Sequence, residues 1–207
     1  MNTRILQSCA ALLVAALLAA TPAAAKDVPE LFQDSYTLEA SYQYALALEK
    51  VESIPARGDD AYLVHLRRGW LLYLLGRYAD AVAAYQQALN TADTIEGHLG
   101  LSLPLMALRR WKEAETACRK VLKTAAGNYL AHSRLAYVLY NAGRYGDAEK
   151  AYATLVAEYP SDVEMRTGLG WAQLKQGQTA KAKASFEFVL RISPDYTSAR
   201  QGLDACK

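Results

Sequence analysis

Two stretches of the chain follow nearly the same pattern. Residues 73–89 read YLLGRYADAVAAYQQAL, and residues 140–160 read YNAGRYGDAEKAYATLVAEYP. Sliding the sequence against itself by about 34 residues adds two further copies, RRWKEAETACRKVL at 109–122 and GQTAKAKASFEFVL at 177–190. Self-similarity at a period of about 20–50 residues is the signature of an array in which each repeat is one supersecondary unit. The sequence therefore predicts a repeat architecture.

Each copy carries two apolar stripes with the period of an α-helix. The stripes are separated by Gly76, Arg109, Gly143 and Gly177 in the four copies. Glycine suits this place because helices commonly end on a residue in the left-handed conformation, which carries no steric penalty when the Cβ is missing. Each unit is therefore predicted to be a pair of antiparallel helices.

This pattern resembles the tetratricopeptide repeat, which has a small residue on its second helix, an aromatic residue four positions later and a closing proline. The small residues here are Ala81, Ala114, Ala148 and Ala182, and the residues four positions later are Tyr85, Cys118, Tyr152 and Phe186. Pro160 and Pro194 close the third and fourth units, whereas Asp93 and Ala126 stand there in the first two. The resemblance implies an all-α, right-handed superhelical solenoid of antiparallel helix pairs, with four units at 62–94, 95–128, 129–162 and 163–196.

The first residues, MNTRILQSCAALLVAALLAATPAAA, have the layout of a secretory signal peptide at 1–25. A basic residue, Arg4, precedes an apolar run over about 9–20, and small residues Ala23 and Ala25 follow it. This run is shorter than the ~20 apolar residues of a membrane-spanning helix. We expect cleavage after about Ala25 and export to the periplasm, with an uncleaved anchor as the alternative.

Two partial units flank the array. In residues 26–61, the spacing of Ala40, Tyr44 and Ala47 predicts one helix over about 35–53. Residues 197–207 begin a further first helix, which we expect to cap the apolar end of the stack, as solenoids require. Within the second unit, Pro104 removes a backbone hydrogen bond and predicts a kink between Gly100 and Met106.

The resemblance places the first helix of each unit on the concave face of the array. On each of these helices, residues three or four positions apart share one side. Arg67 and Arg134 lie beside this side and are predicted to steer acidic flanks of a partner. The predicted partner-binding groove consists of Leu66, Trp70, Tyr73, Leu99, Leu103, Met106, Tyr137, Tyr140, Trp171 and Leu174.

This groove is aromatic and apolar, and such exposed surfaces typically mark a protein partner. An apolar helix or an extended segment of another protein fits it, because buried aromatic anchors supply most of the energy in many interfaces. An open groove is one interpretation, and a groove covered by the N-terminal helix is the other. Family members that clamp a terminal carboxylate use Lys, Asn and Arg, but Leu66, Trp70, Gly100 and Leu130 occupy those places here and only Arg134 fits.

The remaining residues argue against several other functions. The chain has 23 basic and 21 acidic residues and no basic block, so the electrostatic footprint of a nucleic-acid-binding protein is missing. The motifs of nucleophilic, metal-dependent or phosphate-binding enzymes do not occur, and we expect neither an enzyme nor a cofactor. His65, His98 and His132 recur at one place on neighbouring helices, which pack 8–10 Å apart, too far for shared zinc ligation.

Together these features predict a non-catalytic scaffold or adaptor of the bacterial cell envelope that binds another protein. One alternative is a self-assembling oligomer that stacks through its C-terminal end, where Leu203 is expected to take part. The other is a carrier of a lipid or a hydrophobic small molecule. Cys118 is expected in the core, since free cysteine behaves as a small buried hydrophobe.

Overall fold

The computed structural model describes residues 27–207, so the predicted signal peptide lies outside the described residues. Within this range the chain forms only α-helices, apart from one turn of 3-10 helix at Gly58–Asp60. The helices are α1 (Val28–Ala40), α2 (Tyr44–Glu52), α3 (Ala61–Leu74), α4 (Tyr78–Thr91), α5 (Ile95–Ala107), α6 (Trp111–Thr124), α7 (Tyr129–Asn141), α8 (Tyr145–Glu158), α9 (Val163–Lys175), α10 (Thr179–Ile192) and α11 (Thr197–Asp204).

Consecutive helices pack against each other along the whole described range. Four pairs, α3 with α4, α5 with α6, α7 with α8 and α9 with α10, begin at Ala61, Ile95, Tyr129 and Val163. Each second helix also packs on the first helix of the next pair, and first helices contact one another more sparsely. Each pair thus buries its apolar faces against its neighbours, which is the arrangement of a solenoid. The all-α helix-pair architecture predicted from the repeat is confirmed.

The turns inside the four pairs show why the glycines recur. Gly76, Gly143 and Gly177 have φ angles of 73°, 78° and 74°, and Arg109 takes the same place with a φ of 56°. After Gly76, the amide of Arg77 donates to the carbonyl oxygen of Leu72 at 2.9 Å, closing the helix end. Glycine avoids the steric cost that Arg109 bears in this left-handed region.

The aromatic residue of a second helix packs on a glycine of the next unit. A Cβ added to Gly100 would lie 2.2 Å from the ring of Tyr85, and one added to Gly168 would lie 2.5 Å from the ring of Tyr152. Any larger residue at these places would displace the ring, because helix interfaces are close-packed. Gly100 and Gly168 therefore allow neighbouring units to approach.

The second unit, which lies between the units of Tyr85 and Tyr152, has a small residue in place of the aromatic one and a large residue in place of the glycine. Its second helix carries the small residue Cys118, which is fully buried as expected, and the position equivalent to Gly100 in the next unit is Arg134. Burial raises the pKa of the Cys118 thiol to about 11, although the positive charge of Arg134 opposes this shift. A small residue here leaves room for a large one opposite, which places a guanidinium in the interior of the array.

The N-terminal segment differs from the prediction of a single helix over 35–53. It forms two helices, α1 and α2, which pack against each other as a further pair. Asp27 caps α1 by accepting a hydrogen bond from the amide of Glu30 at 2.9 Å. The chain then reverses at Tyr42, whose φ of 60° ends helical geometry without a glycine to signal it. That missing signal is why sequence reasoning joined the two helices.

Two further features concern α5 and the C-terminal end. α5 continues through Pro104 from Ile95 to Ala107, so the proline does not end the helix. α11 packs on α10, and its Leu203 joins the core cluster around Phe186. None of the helices in residues 27–207 combines the length and apolar character that a membrane span requires.

Candidate binding cleft

A cavity of about 720 Å³ opens between the first helices of successive pairs. We call it the central cleft. Its apolar walls are Phe32 and Tyr36 from α1, Leu63, Leu66 and Trp70 from α3, and Ile95, Leu99 and Leu103 from α5. Tyr85 and Gly100 form its floor, and the guanidinium groups of Arg67 and Arg134 also border it.

The central cleft contains four of the ten predicted groove residues, namely Leu66, Trp70, Leu99 and Leu103. The other six lie elsewhere along the array. Tyr73 stacks on Trp70, with 5.8 Å between ring centroids, and packs beside Tyr78. Met106 packs against the core cluster of the second unit.

The groove residues of the last two units take part mainly in packing between helices. The Tyr140 ring meets the edge of Tyr145 at 5.4 Å, and burial raises the pKa of the Tyr140 hydroxyl. Trp171 contacts the core and donates from Nε1 to the Ser198 hydroxyl at 2.9 Å, and Leu174 lies in the same cluster. Tyr137 is the exception, since 46% of it is exposed. The cavity is therefore confined to the N-terminal half of the predicted groove.

Sequence reasoning missed the contribution of α1. Phe32, Ser35, Tyr36 and Glu39 are spaced as i, i+3, i+4 and i+7, which places them on one face of a helix. Phe32 and Tyr36 line the central cleft beside α3, while Ser35 is fully buried. α1 thus forms one wall of the cleft and leaves the cavity accessible, which differs from both the fully open and the fully covered groove. The i, i+3, i+4 and i+7 spacing of these four residues is the sequence signal that could have identified this wall.

Arg67 does not act as the exposed steering group that the sequence suggested. It is only 7% exposed, its Nε donates to the Ser35 hydroxyl at 3.1 Å, and its Nη1 donates to the Glu39 carboxylate. The guanidinium also lies 3.8 Å from the centroid of the Tyr36 ring, a cation–π contact. The Glu39 carboxylate also accepts a hydrogen bond from Trp70 Nε1 at 2.7 Å. Arg67 therefore joins α1 to α3 and is not free to attract a distant partner.

Arg134 reaches the central cleft from α7. Its Nη1 donates to the Leu99 carbonyl oxygen at 2.6 Å and to the Ser102 hydroxyl at 3.0 Å. Both acceptors are neutral, and no carboxylate within residues 27–207 forms an ion pair with it. Burial lowers the pKa of the Arg134 guanidinium. The structure thus holds a positive charge beside an apolar cavity with neutral partners only.

The histidines do not come together. His98 Nε2 lies 2.6 Å from an Asp93 carboxylate oxygen, and His132 Nε2 lies 2.7 Å from the Ala126 carbonyl oxygen. In the described part of the chain, no cluster of three His, Cys, Asp or Glu side chains is arranged to hold a metal ion. Cys118 and Cys206 are both free thiols.

Comparison with solved structures shows the same fold. YrrB, described as a tetratricopeptide repeat protein with an unusual peptide-binding site, superposes with a TM-score of 0.74 at 16% identity, covering 86% of this chain and 92% of YrrB. MamA of Desulfovibrio magneticus RS-1, solved from residue 41 to its end, superposes with a TM-score of 0.76 at 16% identity, covering 83% of this chain and 98% of that solved chain. At such identities the likeness concerns the fold alone.

Sequence comparison identifies the family. The curated Protein CTR9 homolog of Arabidopsis thaliana is 31% identical in an alignment of 116 residues, and the match covers 53% of this chain and 11% of that protein. The chain therefore spans only a small part of the relative it matches. Family models of the tetratricopeptide repeat match residues 62–94, 99–163 and 133–197. With its helix pairs and these matches, the chain belongs to the tetratricopeptide repeat family.

Proposed function

We propose that the protein is a non-catalytic scaffold that binds a segment of another protein in the central cleft. The observation that carries this proposal is a preformed cavity of about 720 Å³ with walls from three consecutive first helices. Binding sites are typically concave and mostly apolar, with a few polar groups that fix orientation. Leu63 remains 49% exposed at the mouth, so a partner gains apolar burial there.

The chain itself indicates what kind of segment fits. α1 lies beside α3 as an amphipathic helix, placing Phe32 and Tyr36 along the cleft and Glu39 on Arg67 and Trp70. A partner helix with the same mixture of aromatic and acidic side chains would meet similar surfaces on α5. The peptide-binding site named for YrrB supports a peptide ligand as well.

Selection from a random peptide library displayed on phage provides the first test. We expect peptides that bind the purified protein and lose about tenfold in affinity on Leu66→Ala or Leu99→Ala, because each change removes apolar contact in the cleft. Fluorescence polarisation of the labelled peptides measures the affinity. Leu46→Ala is the matched control, since Leu46 is a leucine of α2 that does not line the cleft and is 45% exposed.

Peptides that bind equally well to both cleft variants would move the interface away from the central cleft. If no peptide binds, the scaffold proposal fails. Two measurements would then distinguish the alternatives. Light scattering tests for a self-assembled oligomer, and native mass spectrometry tests for a retained lipid or small molecule. The oligomer alternative relied on Leu203, which packs against the cluster around Phe186 within the chain.

We also propose that the protein is exported to the periplasm and works in the cell envelope. The support is the layout of residues 1–25, with Arg4, an apolar run and the small residues Ala23 and Ala25. Expression of the full chain in a Gram-negative host should yield protein in the periplasmic fraction whose sequence starts near Lys26. N-terminal sequencing checks this, and intact Met1 on cytoplasmic protein would contradict it.

A further inference from the structure

Polar side chains from the first and third units border the floor of the central cleft, on either side of a glycine of the second unit. Arg67, Gly100 and Arg134 occupy equivalent places on α3, α5 and α7, so the two guanidinium groups flank the glycine. The Tyr85 ring lies on Gly100 between them. Within residues 27–207, no hydrogen bond engages the Tyr85 hydroxyl. Nη2 of the 7%-exposed Arg67 is buried without a hydrogen-bond partner.

Only one of the two arginines is neutralised by the chain. Glu39 of α1 supplies a carboxylate to Arg67. Arg134 instead donates only to two neutral acceptors of α5, a backbone carbonyl oxygen and a serine hydroxyl. Glu96, the acidic residue on the rim, instead accepts a long hydrogen bond of 3.5 Å from the Tyr62 hydroxyl. A partly buried cation without an anion bears a desolvation cost that a carboxylate would offset. Burial also raises the pKa of the Tyr85 hydroxyl, so this group stays protonated and can donate.

We infer that the partner segment supplies a side-chain carboxylate to Arg134 and Tyr85, as α1 supplies Glu39 to Arg67, with apolar side chains on either side of it. This inference rests on the proposed function and names the chemistry of the ligand. The spacing of Tyr36 and Glu39 on α1 indicates an aromatic residue followed three positions later by an acid on one helical face. The acid lies within the segment, because Leu66 and Leu130 have no donor to hold a chain terminus and the indole N–H of Trp70 already donates to Glu39.

The test uses the peptides selected from the random phage library, synthesised with the acidic residue or its amide and with a free or amidated C-terminus. We expect Asp or Glu beside aromatic residues in the selected sequences. Replacing that acid by its amide should weaken binding about 30-fold, since truncating one partner of a buried charged pair has an effect of this size. Arg134→Gln should weaken binding similarly, and combining both changes should add little more.

Two milder variants separate ligand contact from folding. Tyr85→Phe keeps the ring on Gly100 and removes only the hydroxyl, so affinity should fall about fivefold, as for one lost hydrogen bond. Tyr152→Phe is its matched control, because Tyr152 packs equivalently on Gly168 outside the central cleft. Arg134→Lys keeps the charge and should bind better than Arg134→Gln. Circular dichroism melts confirm that each variant is folded.

The outcomes separate this inference from the proposed function. Peptides that bind without an acidic residue, and equally to the protein and to Arg134→Gln, overturn the inference and leave the scaffold proposal standing. Binding that depends on the free C-terminus and not on an internal acid also overturns it. If no peptide binds, both fail.

Discussion

Replacing Phe186 with alanine is expected to lower the free energy of unfolding by about 3–5 kcal/mol, the range for truncating a fully buried phenylalanine. Phe186 is 0% exposed. Its ring fills the space that Cβ atoms on Gly170 and Gly202 would otherwise occupy, and it meets the Trp171 ring with 5.4 Å between centroids. The loss is large beside a total stability of about 5–15 kcal/mol for a typical domain.

Hydrogen exchange is the measurement, because repeat arrays can unfold locally and a single unfolding midpoint then loses its meaning. Amides of α9, α10 and α11 should lose protection, while those of α3 and α4 change little. Phe188→Ala is the control on the same helix. Phe188 is only partly buried and contacts the guanidinium groups of Arg166 and Arg191, so its loss should cost about 1 kcal/mol. Equal effects of the two variants would contradict the packing assigned to Phe186.

Glu39→Ala is expected to destabilise the contact of α1 with α3 by about 2–3 kcal/mol. The change leaves the buried Arg67 without its carboxylate and removes the acceptor of Trp70 Nε1. Breaking a fully buried pair typically costs about 3–5 kcal/mol. The Glu39 side chain is 24% exposed, so solvent screens the pair and the destabilisation is smaller than for a fully buried pair.

A double-mutant cycle with Arg67→Met measures this interaction. The double variant should be less destabilised than the sum of the two single variants, because the charge left unpaired by Glu39→Ala is then gone. Glu52→Ala is the matched control, since its pair with Arg68 is 42% exposed on both sides and should contribute less than about 0.5 kcal/mol. Additive effects of Glu39→Ala and Arg67→Met would show that the two side chains do not stabilise each other.

The architecture could be predicted from sequence because its signals are local and recur. Gly76, Gly143 and Gly177 mark helix ends through their own backbone conformation. The apolar stripes on either side of them have helical period, and each unit packs only on its neighbours. Tyr42 shows the limit of such reasoning. Arg109 reverses the chain without glycine too, but the repeat register marks its place, whereas Tyr42 lies outside the repeats and has neither signal.

The site could be predicted only in part. Repeat position placed Leu66, Trp70, Leu99 and Leu103 on the concave face, where they line the central cleft. Which first-helix side chains remain accessible depends on how neighbouring helices pack, and repeat position carries no information about that. Trp171 occupies the repeat position of Trp70 but does not line the cleft. It packs against Phe186 and donates a hydrogen bond to the Ser198 hydroxyl.

The sequence by itself determined the four helix pairs of the repeats, their order and the apolar character of the concave face, since all of these follow from periodic patterns within one unit. Only the tertiary structure decided the charge of the central cleft. Arg67 and Arg134 look equivalent along the chain, yet Glu39 reaches Arg67 from α1 while Arg134 meets a carbonyl oxygen and a hydroxyl of α5. The partner of a charged group depends on which helices lie within a few ångströms, and that proximity is a property of the packed array.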